Sequence, residues 1–213
     1  MRREMPHDQN DRPIVHIVDD DESLRRGLES LFRSVGLETR PYASAREFFD
    51  ADAIDRPGCV LLDVRLPGAS GLDVQASLAH RGIRLPIVLM TGFGDIPMSV
   101  RAMKAGAVDF LAKPFREQDI LDAVTTAIER DRKQRAFDGE TATIRTCFAT
   151  LSTREREVMT LVAAGKMNKQ VAAELGLAEI TVKLHRSAAV RKMRARSFAD
   201  FIRMAELLEL RAP

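Results

Sequence analysis

Apolar runs and helical segments alternate along the first 130 residues of the chain. The clearest apolar runs are residues 14–18, 59–62, 87–90 and 107–111, and the segment LETRPY at 37–42 is a weaker one. Helical spacing of apolar residues follows the runs, as in DESLRRGLESLFRSVG after the first of them. Near-continuous apolar strands between helices are typical of a parallel sheet that is covered on both faces. The pattern therefore predicts an α/β domain with a doubly wound, five-stranded parallel sheet.

From Leu151 onward the pattern is helical throughout and predicts an all-α domain of four helices. The first helix, LSTREREVMTLVAAG, opens with Ser152 or Thr153 as its N-cap, and the spacing of Ser152 and Glu155 is that of a capping box. The second helix covers residues 168–175 and ends at a glycine. A longer third helix and an apolar fourth helix follow. Two helices joined by a short glycine-containing turn indicate a helix-turn-helix unit.

These patterns divide the chain into four parts. We expect a disordered tail at 1–13, a first domain at 14–130, a linker at 131–147 and the helix-turn-helix domain at 148–213. The linker is charged, and we expect it to extend the last helix of the first domain before it loosens near Asp138-Gly139.

Charge is distributed unevenly between the two halves. Residues 1–130 hold 17 Lys/Arg against 21 Asp/Glu, a net charge of −4, and residues 131–213 hold 16 against 10, a net charge of +6. An acidic front and a basic back suggest different partners, with nucleic acid a candidate for the second. No apolar run approaches the roughly 18 residues of a membrane span, and Cys59 and Cys147 have no metal-binding spacing. We therefore expect a cytoplasmic protein with reduced thiols and no membrane contact.

Four acids follow the first apolar run in the sequence VHIVDDDE, residues 15–22. One interpretation is a loop with a helix N-cap, since aspartate caps helices well and acids suit a helix N-terminus. The other is a divalent-cation site, because hard cations such as Mg²⁺ bind one or two carboxylates together with phosphate oxygens. The run by itself leaves both interpretations open.

Polar side chains stand at or just beyond the carboxyl ends of four predicted strands. They are Asp19, Asp20, Asp63, Thr91 and Lys113. Because sites in open parallel sheets form outside the carboxyl ends of the strands, we expect these side chains to converge. Carboxylates that bind Mg²⁺, with a lysine and a hydroxyl for the phosphate oxygens, make up a site for phosphoryl transfer. A carboxylate in such a site can itself be the nucleophile and form an aspartyl phosphate.

The front half resembles the receiver domain of two-component response regulators, which has a flavodoxin/CheY-like fold. The resemblance lies in VHIVDDDESLRRGL, VLLDVRLPGASGLDV and LPIVLMTGFGDIPMSVRAMKAGAVDFLAKPF, and it covers about residues 14–130. It implies that Asp63 is the phosphoacceptor. It also implies that Asp19, Asp20, Asp63 and the backbone carbonyl of Arg65 bind Mg²⁺.

The same resemblance gives roles to residues farther along the domain. Thr91 and Lys113 would contact the phosphoryl group, and Thr91 together with Phe110 would act as the switch. Asp21 would start a helix rather than bind the metal. The Lys113-Pro114 peptide bond is expected to be cis, which is uncommon even before proline.

Two other functions compete with this one. Haloacid-dehalogenase-type phosphatases use a similar set of Asp, Thr, Lys and Mg²⁺, but they need a second acid two residues after the nucleophile, where this chain has Arg65. A regulator that keeps the receiver fold and switches by protein or ligand contact alone would not need the complete acid, threonine and lysine set. We therefore expect a protein that responds to phosphorylation and is not an enzyme.

The back half carries a basic helix. Six cations and no acid lie between Thr181 and Arg196, which favours contact with nucleic acid over a solvated face of mixed charge. The segment LSTREREVMTLVAAGKMNKQVAAELGLAEITVKLHRSAAVRKMRARS resembles the four-helix DNA-binding module of the NarL/FixJ regulators, and the whole chain is most similar to the FixJ subgroup. The resemblance implies base-edge contacts from Lys183, Leu184, Ser187 and Arg186, and phosphate contacts from Thr181, Arg191 and Lys192.

Together the two resemblances imply a phosphorylation-activated transcriptional regulator. Its expected partners are a sensor histidine kinase, double-stranded DNA, RNA polymerase and, once phosphorylated, a second copy of the chain. The expected dimer face consists of residues 99–105, residues 108–110 and the helix that begins at Glu117.

Overall fold

The computed structural model describes residues 12–51, 56–92 and 96–210. Its contacts divide the chain into two compact units, with the division between Arg135 and Ala136. Residues 1–11 of the expected tail lie outside the described residues. Its next residue, Arg12, accepts a hydrogen bond at its backbone carbonyl from Arg56 Nη2, at 3.0 Å. Among the described residues, no helix combines the length and apolar character needed to cross a membrane.

The first unit contains one parallel sheet and a short hairpin. The strands are β1 (Ile14–Val18), β2 (Glu38–Tyr42), β3 (Gly58–Asp63), β4 (Arg65–Leu66), β5 (Ala69–Ser70), β6 (Ile87–Thr91) and β7 (Asp109–Ala112). Five of them form the sheet, in the order β2-β1-β3-β6-β7 and all parallel, while β4 and β5 pair antiparallel. The predicted five-stranded parallel sheet is therefore confirmed.

Helices cover both faces of this sheet. They are α1 (Glu22–Ser34), α2 (Ala45–Phe49), α3 (Gly71–His80), α4 (Ile96–Lys104) and α5 (Glu117–Ala149). One face packs against α1 and α5, where Phe32 and Ile120 are fully buried among strand residues. The other packs against α2, α3 and α4, with Phe48 and Leu78 buried in its core. Because both faces are covered, β1, β3 and β6 are buried along their whole length.

N-cap side chains fix the residues at which α1 and α3 begin. The carboxylate of Asp21 accepts hydrogen bonds from the backbone N–H groups of Ser23 and Leu24, at 2.8 and 3.2 Å, and so caps α1. Ser70 caps α3 in the same way through Leu72 N–H. The third acid of the DDDE run is thus used by the helix, which leaves Asp19 and Asp20 for another role.

Helix α5 corrects the expected linker. The sequence suggested loosening near Asp138-Gly139, but α5 continues to Ala149 without a break. Part of the reason lies in its packing, since Ile144 is buried in the core of the second unit. In the part of α5 that belongs to the first unit, the carboxylate of Asp131 is buried and accepts a hydrogen bond from Gly58 N–H, at 2.9 Å. The expected loosening is therefore wrong, although most of residues 131–147 are exposed on this helix.

The second unit is all helical, as expected. After the end of α5 come α6 (Thr153–Ala163), α7 (Asn168–Leu175), α8 (Glu179–Lys192) and α9 (Phe198–Leu207). Ser152 is the N-cap of α6, and it forms the predicted capping box with Glu155. Gly176 has a left-handed backbone (φ 64°) that ends α7 and begins the short turn into α8. The helix-turn-helix pair α7 and α8 is thus present, with Val182 and Ala189 of α8 buried against the shared core.

We predict that alanine at Gly58 destabilises the first unit, whereas alanine at Gly27 stabilises it. A Cβ on Gly58 would lie 2.0 Å from the carbonyl oxygen of Ile14, so the strands must separate, at a cost of at least about 1–3 kcal/mol. Gly27 lies inside α1 with nothing near its Cβ position, and alanine there is expected to gain about 0.5–1 kcal/mol. Urea unfolding, followed through the fluorescence of Tyr42, measures this unit alone, because Tyr42 is the only tyrosine and the chain has no tryptophan. Equal stability of the two variants would contradict the prediction.

Candidate functional site

The register of the sheet brings the acids of two strands together. Val18 is paired with Leu62, so Asp19 follows β1 directly beside Asp63, the last residue of β3. One carboxylate oxygen each from Asp19, Asp20 and Asp63 lie within 4.8 Å of one another. Asp19 and Asp63 are buried and Asp20 is exposed, so the cluster opens to solvent on one side. We call these three residues, together with Lys113, the acidic edge.

Lys113 supplies the positive charge at the acidic edge. Its Nζ lies 2.6 Å from Asp19 Oδ2 and 3.2 Å from Asp63 Oδ2. The backbone N–H of Lys113 also donates to the Thr91 carbonyl at 2.7 Å, which fastens the end of β7 to the end of β6. The Lys113-Pro114 peptide bond is cis, as expected. The strand ends thus bring the ammonium group to two carboxylates that precede it by 94 and 50 residues.

Asp63 is in an environment that resists its charge. Burial raises the pKa of Asp63, the ammonium of Lys113 opposes this effect, and the carboxylate of Asp19 adds to it. Arg65 N–H donates a hydrogen bond to Asp63 Oδ1 at 3.3 Å. Gly71, the first residue of α3, lies against the backbone of Asp63. A Cβ at this position would lie 2.5 Å from the Asp63 carbonyl oxygen, so only glycine allows α3 to begin this close to β3. A cation near Asp63 would therefore relieve repulsion that Lys113 only partly offsets.

Asp19 is held more tightly than the sequence indicated. Its Oδ1 accepts a hydrogen bond from Asp21 N–H at 3.0 Å, while its Oδ2 contacts Lys113. Its carbonyl oxygen accepts a further hydrogen bond from Arg25 Nη1 at 2.6 Å. Sequence reasoning missed Arg25, because an arginine in the first turns of a helix carries no signal that its guanidinium reaches back to the preceding loop.

Thr91 and Phe110 lie on neighbouring strands close to the acidic edge. Thr91 is the last residue of β6 and is fully buried. Phe110 is in β7 opposite Leu89 of β6, and its half-buried ring packs against the core on the α3 and α4 side. Thr91 thus ends its strand beside the acidic edge, as the sequence predicted, while the role of Thr91 and Phe110 as a switch stays a prediction.

The donor set of the acidic edge suits a hard divalent cation. Three carboxylates, from the adjacent residues Asp19 and Asp20 and from Asp63 at the end of β3, offer oxygen ligands, and Mg²⁺ prefers a few carboxylates with its remaining positions open for water or phosphate. The open side at Asp20 provides that access. Arg65 lies in β4 and is exposed, with its backbone directly after Val64, whose N–H is bonded to the Met90 carbonyl. The residues present therefore fit Mg²⁺.

The basic helix α8 has two distinct faces. Successive residues of a helix are about 100° apart around its axis. Five exposed residues of α8 fall within a stripe that covers less than a third of the helix circumference: Ile180, Lys183, Leu184, Ser187 and Arg191. We call this stripe the outer face. The opposite side of the helix is buried in the core through Val182, Ala189 and Met193. Four of the predicted DNA contacts thus share one solvent-facing stripe, and Thr181 is half-buried at its border.

Two of the predicted DNA contacts have partners within the domain. Lys192 Nζ lies 2.6 Å from the buried carboxylate of Glu155, and this hydrogen bond lowers the pKa of Glu155. The Arg186 guanidinium lies 4.5 Å from the centre of the Phe198 ring, and it also bonds Asn168 Oδ1 at 3.3 Å. Both cations therefore connect elements of the domain, which places them apart from the outer face. The expected roles of Lys192 at phosphate and of Arg186 at base edges remain predictions.

Comparison with known proteins matches both units. Residues 15–125 match the family described as "Response regulator receiver domain", and residues 149–205 match "Bacterial regulatory proteins, luxR family". The chain is 59% identical to Nodulation protein W of Bradyrhizobium diazoefficiens, over 94% of this chain and 88% of that protein. It is 40% identical to the transcriptional regulatory protein FixJ of Azorhizobium caulinodans, over 91% and 92% of the two chains.

A solved structure gives the same result in three dimensions. The low-resolution structure of the response regulator StyR matches with a TM-score of 0.79 and 42% identity, over 92% of this chain and 98% of that one. Two matched domains in the expected order, relatives of nearly equal length and a similar solved structure all agree. This chain belongs to the NarL/FixJ-type response regulators, the transcriptional regulators of two-component systems that join a receiver domain to a LuxR-type DNA-binding domain.

Proposed function

We propose that this regulator is activated when a sensor histidine kinase transfers a phosphoryl group to Asp63. The observation that carries the proposal is the acidic edge, where Asp63 stands beside two further carboxylates and is bonded to Lys113. A phosphorylated kinase histidine would be the donor. A carboxylate oxygen of Asp63 attacks the phosphorus atom, the phosphorus–nitrogen bond breaks, and an acyl phosphate forms on Asp63.

The other residues of the edge stabilise charge during this transfer. Asp19, Asp20, Asp63 and the carbonyl of Arg65 are proposed to hold Mg²⁺, which would neutralise charge on the phosphoryl oxygens. Lys113 already lies within 3.2 Å of Asp63, so its ammonium can pass from the carboxylate to a phosphoryl oxygen with little movement. The hydroxyl group of Thr91 would move toward another phosphoryl oxygen and donate a hydrogen bond to it. That movement of Thr91 would give Phe110, which is half-buried on the neighbouring strand, space to turn inward.

Arg65 argues against the phosphatase alternative. A phosphatase of the haloacid-dehalogenase type would place a general acid two residues after its nucleophile. The side chain at this position is an exposed guanidinium, which does not lose its proton in proteins and cannot alternate between acid and base. The similar proteins are regulators of transcription, which agrees with a phosphoryl group that is kept as a signal.

The output of the switch is proposed to be DNA binding by a dimer in the cytoplasm, with recruitment of RNA polymerase. The outer face of α8 would enter the major groove, with Lys183, Leu184 and Ser187 at base edges and Arg191 at phosphate. We propose that the receiver extends to Arg135 rather than to residue 130, because Arg135 bonds both Asp131 and the Arg56 carbonyl. The DNA-binding domain would then begin within α5.

We predict that Asp63→Asn abolishes phosphorylation by acetyl phosphate while the chain stays folded. The amide keeps the shape of the side chain but is not a nucleophile. Intact-mass spectrometry in Mg²⁺ buffer measures the added phosphoryl group, and Asp73→Asn, which changes an exposed acid at the start of α3, serves as the matched control. Stoichiometric phosphorylation of Asp63→Asn at another residue would refute the assignment.

The Mg²⁺ ligands are tested in the same assay. Asp20 is exposed and has little part in folding, so Asp20→Ala should remain folded and yet lose Mg²⁺-dependent phosphorylation. Isothermal titration with Mg²⁺ should show binding to the unmodified protein and a large loss of affinity in Asp20→Ala. Unchanged Mg²⁺ affinity would show that the cation is bound elsewhere.

We predict that phosphorylation dimerises the receiver through α4 and its surroundings. Val100 and Met103 of α4 are 44% and 47% exposed, so two apolar side chains are available for contact on this face. Met103→Lys should therefore prevent dimer formation without preventing phosphorylation of Asp63. Val35→Lys is the control, since Val35 is similarly exposed but lies at the end of α1. Sedimentation velocity of the phosphorylated protein and of both phosphorylated variants measures the dimer. A protein of unchanged sequence that is fully phosphorylated on Asp63 and still monomeric at tens of micromolar would contradict the proposal.

We predict that Lys183→Ala and Arg191→Ala weaken DNA binding in different ways. A good base-edge contact contributes roughly 1–3 kcal/mol of discrimination, so Lys183→Ala should reduce the preference for a specific site. Arg191→Ala should weaken binding to all sequences alike and reduce the salt dependence by about one phosphate contact. Titrations of specific and random duplexes at several salt concentrations separate the two effects. Identical behaviour of the two variants would show that the outer face is oriented differently.

A further inference from the structure

The loop between β1 and α1 carries two of the proposed Mg²⁺ ligands on consecutive residues, and they are held in different ways. Asp19 is buried, and its carboxylate is bonded to Lys113 and to the N–H of Asp21. Asp20 is exposed, so the packing of neighbouring side chains does little to direct its carboxylate. If both acids are to hold one cation together with Asp63, the direction of Asp20 has to be set by the backbone of the loop.

Arg25 bonds the peptide group that joins these two acids. Its Nη1 donates a hydrogen bond of 2.6 Å to the carbonyl oxygen of Asp19 from the beginning of α1. A peptide group is planar, so a fixed carbonyl oxygen also fixes the direction in which the chain continues into Asp20. The N–H of Asp19 donates to the Tyr42 carbonyl at 3.2 Å, so the backbone of Asp19 is held on both sides. Because the donor on Arg25 is charged, its bond is the stronger kind.

The charge of Arg25 has the opposite effect on a cation. A guanidinium group is always positively charged in a protein, and a positive charge near the acidic edge repels Mg²⁺. The hydrogen bond favours Mg²⁺ binding if it holds Asp20 in place, because ligands that are already directed need less ordering when the cation binds. The sign of the change in Mg²⁺ affinity when Arg25 is replaced therefore distinguishes the two roles.

We propose that Arg25 is a positioning residue for Mg²⁺, which holds the peptide between Asp19 and Asp20 so that the carboxylate of Asp20 is directed to the cation. This ordering outweighs the repulsion by the guanidinium charge. The inference rests on the proposed function, because it requires Mg²⁺ at the acidic edge. Arg25 itself contacts neither the cation nor the phosphoryl group, since it acts through Asp20.

Helix α1 does not depend on the guanidinium group for its stability. The carboxylate of Asp21 caps its first turn, and Leu28 and Phe32 are buried in the core. The bond from Arg25 leads out of the helix to the preceding loop. Replacement of the Arg25 side chain is therefore expected to act on the loop and to leave the helix in place.

The test compares Mg²⁺ affinity in full-length variants that differ in charge and in hydrogen bonding. Arg25→Met removes both the charge and the donor, whereas Arg25→Lys keeps a charge and a donor on a stem of similar length. Arg26→Met is the matched control, since Arg26 is the next residue of α1, is exposed and is bonded to Glu22 rather than to the loop. Isothermal titration with Mg²⁺ at one ionic strength gives the dissociation constants, and circular dichroism measures the folding of each variant.

We expect Arg25→Met to bind Mg²⁺ about tenfold more weakly, which is the effect found when a group that orients a metal ligand is removed. Arg25→Lys should recover most of the affinity. Arg26→Met should bind Mg²⁺ as tightly as the protein of unchanged sequence or slightly more tightly, because it loses a repelling charge. In phosphorylation by acetyl phosphate, Arg25→Met should need a correspondingly higher Mg²⁺ concentration for its half-maximal rate and should reach an unchanged rate at saturating Mg²⁺.

Three results would overturn the inference and leave the proposed function intact. Equal or tighter Mg²⁺ binding by Arg25→Met would show that the arginine acts through its charge alone or not at all. An equal loss of affinity in Arg26→Met would show that the position of the cation on α1 is unimportant. Loss of folding in Arg25→Met would show that the arginine supports the helix rather than the loop. If the protein of unchanged sequence binds no Mg²⁺, the proposed metal site fails together with the inference.

Discussion

The acidic edge depends on one ammonium group that two buried carboxylates share. Lys113 Nζ lies within 3.2 Å of both Asp19 and Asp63. Two like charges about 4 Å apart repel by roughly 4 kcal/mol at an effective dielectric constant of 20, so this arrangement is stable only while a cation stands between the acids. The lysine comes from β7 and the acids from β1 and β3, so the charge balance of the site requires the parallel sheet to be assembled. Fold and chemistry are therefore not separable here.

Most of the receiver could be predicted because its signals are local or follow from one geometric rule. Each apolar run marks a strand, and the acids, threonine and lysine at the strand ends converge because parallel strands end at one edge. Individual hydrogen bonds between side chains and backbone groups could not be predicted in this way. Arg25 reaches back to the carbonyl of Asp19, and the buried carboxylate of Asp131 meets Gly58 from 73 residues away. Neither residue type nor spacing distinguishes these side chains from ordinary helix-surface residues.

In the DNA-binding domain the sequence identified the basic helix but not the orientation of each cation. A helical plot separates the outer face from the core, yet it leaves the flanking residues undecided. Lys192 is paired with Glu155, which the capping box of α6 already holds in place, and Arg186 stacks on Phe198 of the following helix. Both partners become evident only when α6, α8 and α9 are packed together. The continuous course of α5 through Gly139 was missed for the same reason, since packing of Ile144 outweighs the weak helix propensity of one glycine.

Asp63, the proposed phosphoacceptor, ends a strand that is buried along its whole length in the middle of the sheet. Strand β3 is buried from end to end, lies between β1 and β6, and is bonded at its first residue to Asp131. Strand β7 is at the margin of the sheet, has one neighbour and is only half-buried. A phosphoryl group on Asp63 would therefore stand between a fully packed strand and a less packed strand at the margin of the sheet. Under the proposed phosphorylation, strain would be relieved toward β7 and α4, so the difference in packing across the sheet, rather than any single side chain, would set the direction in which the signal leaves.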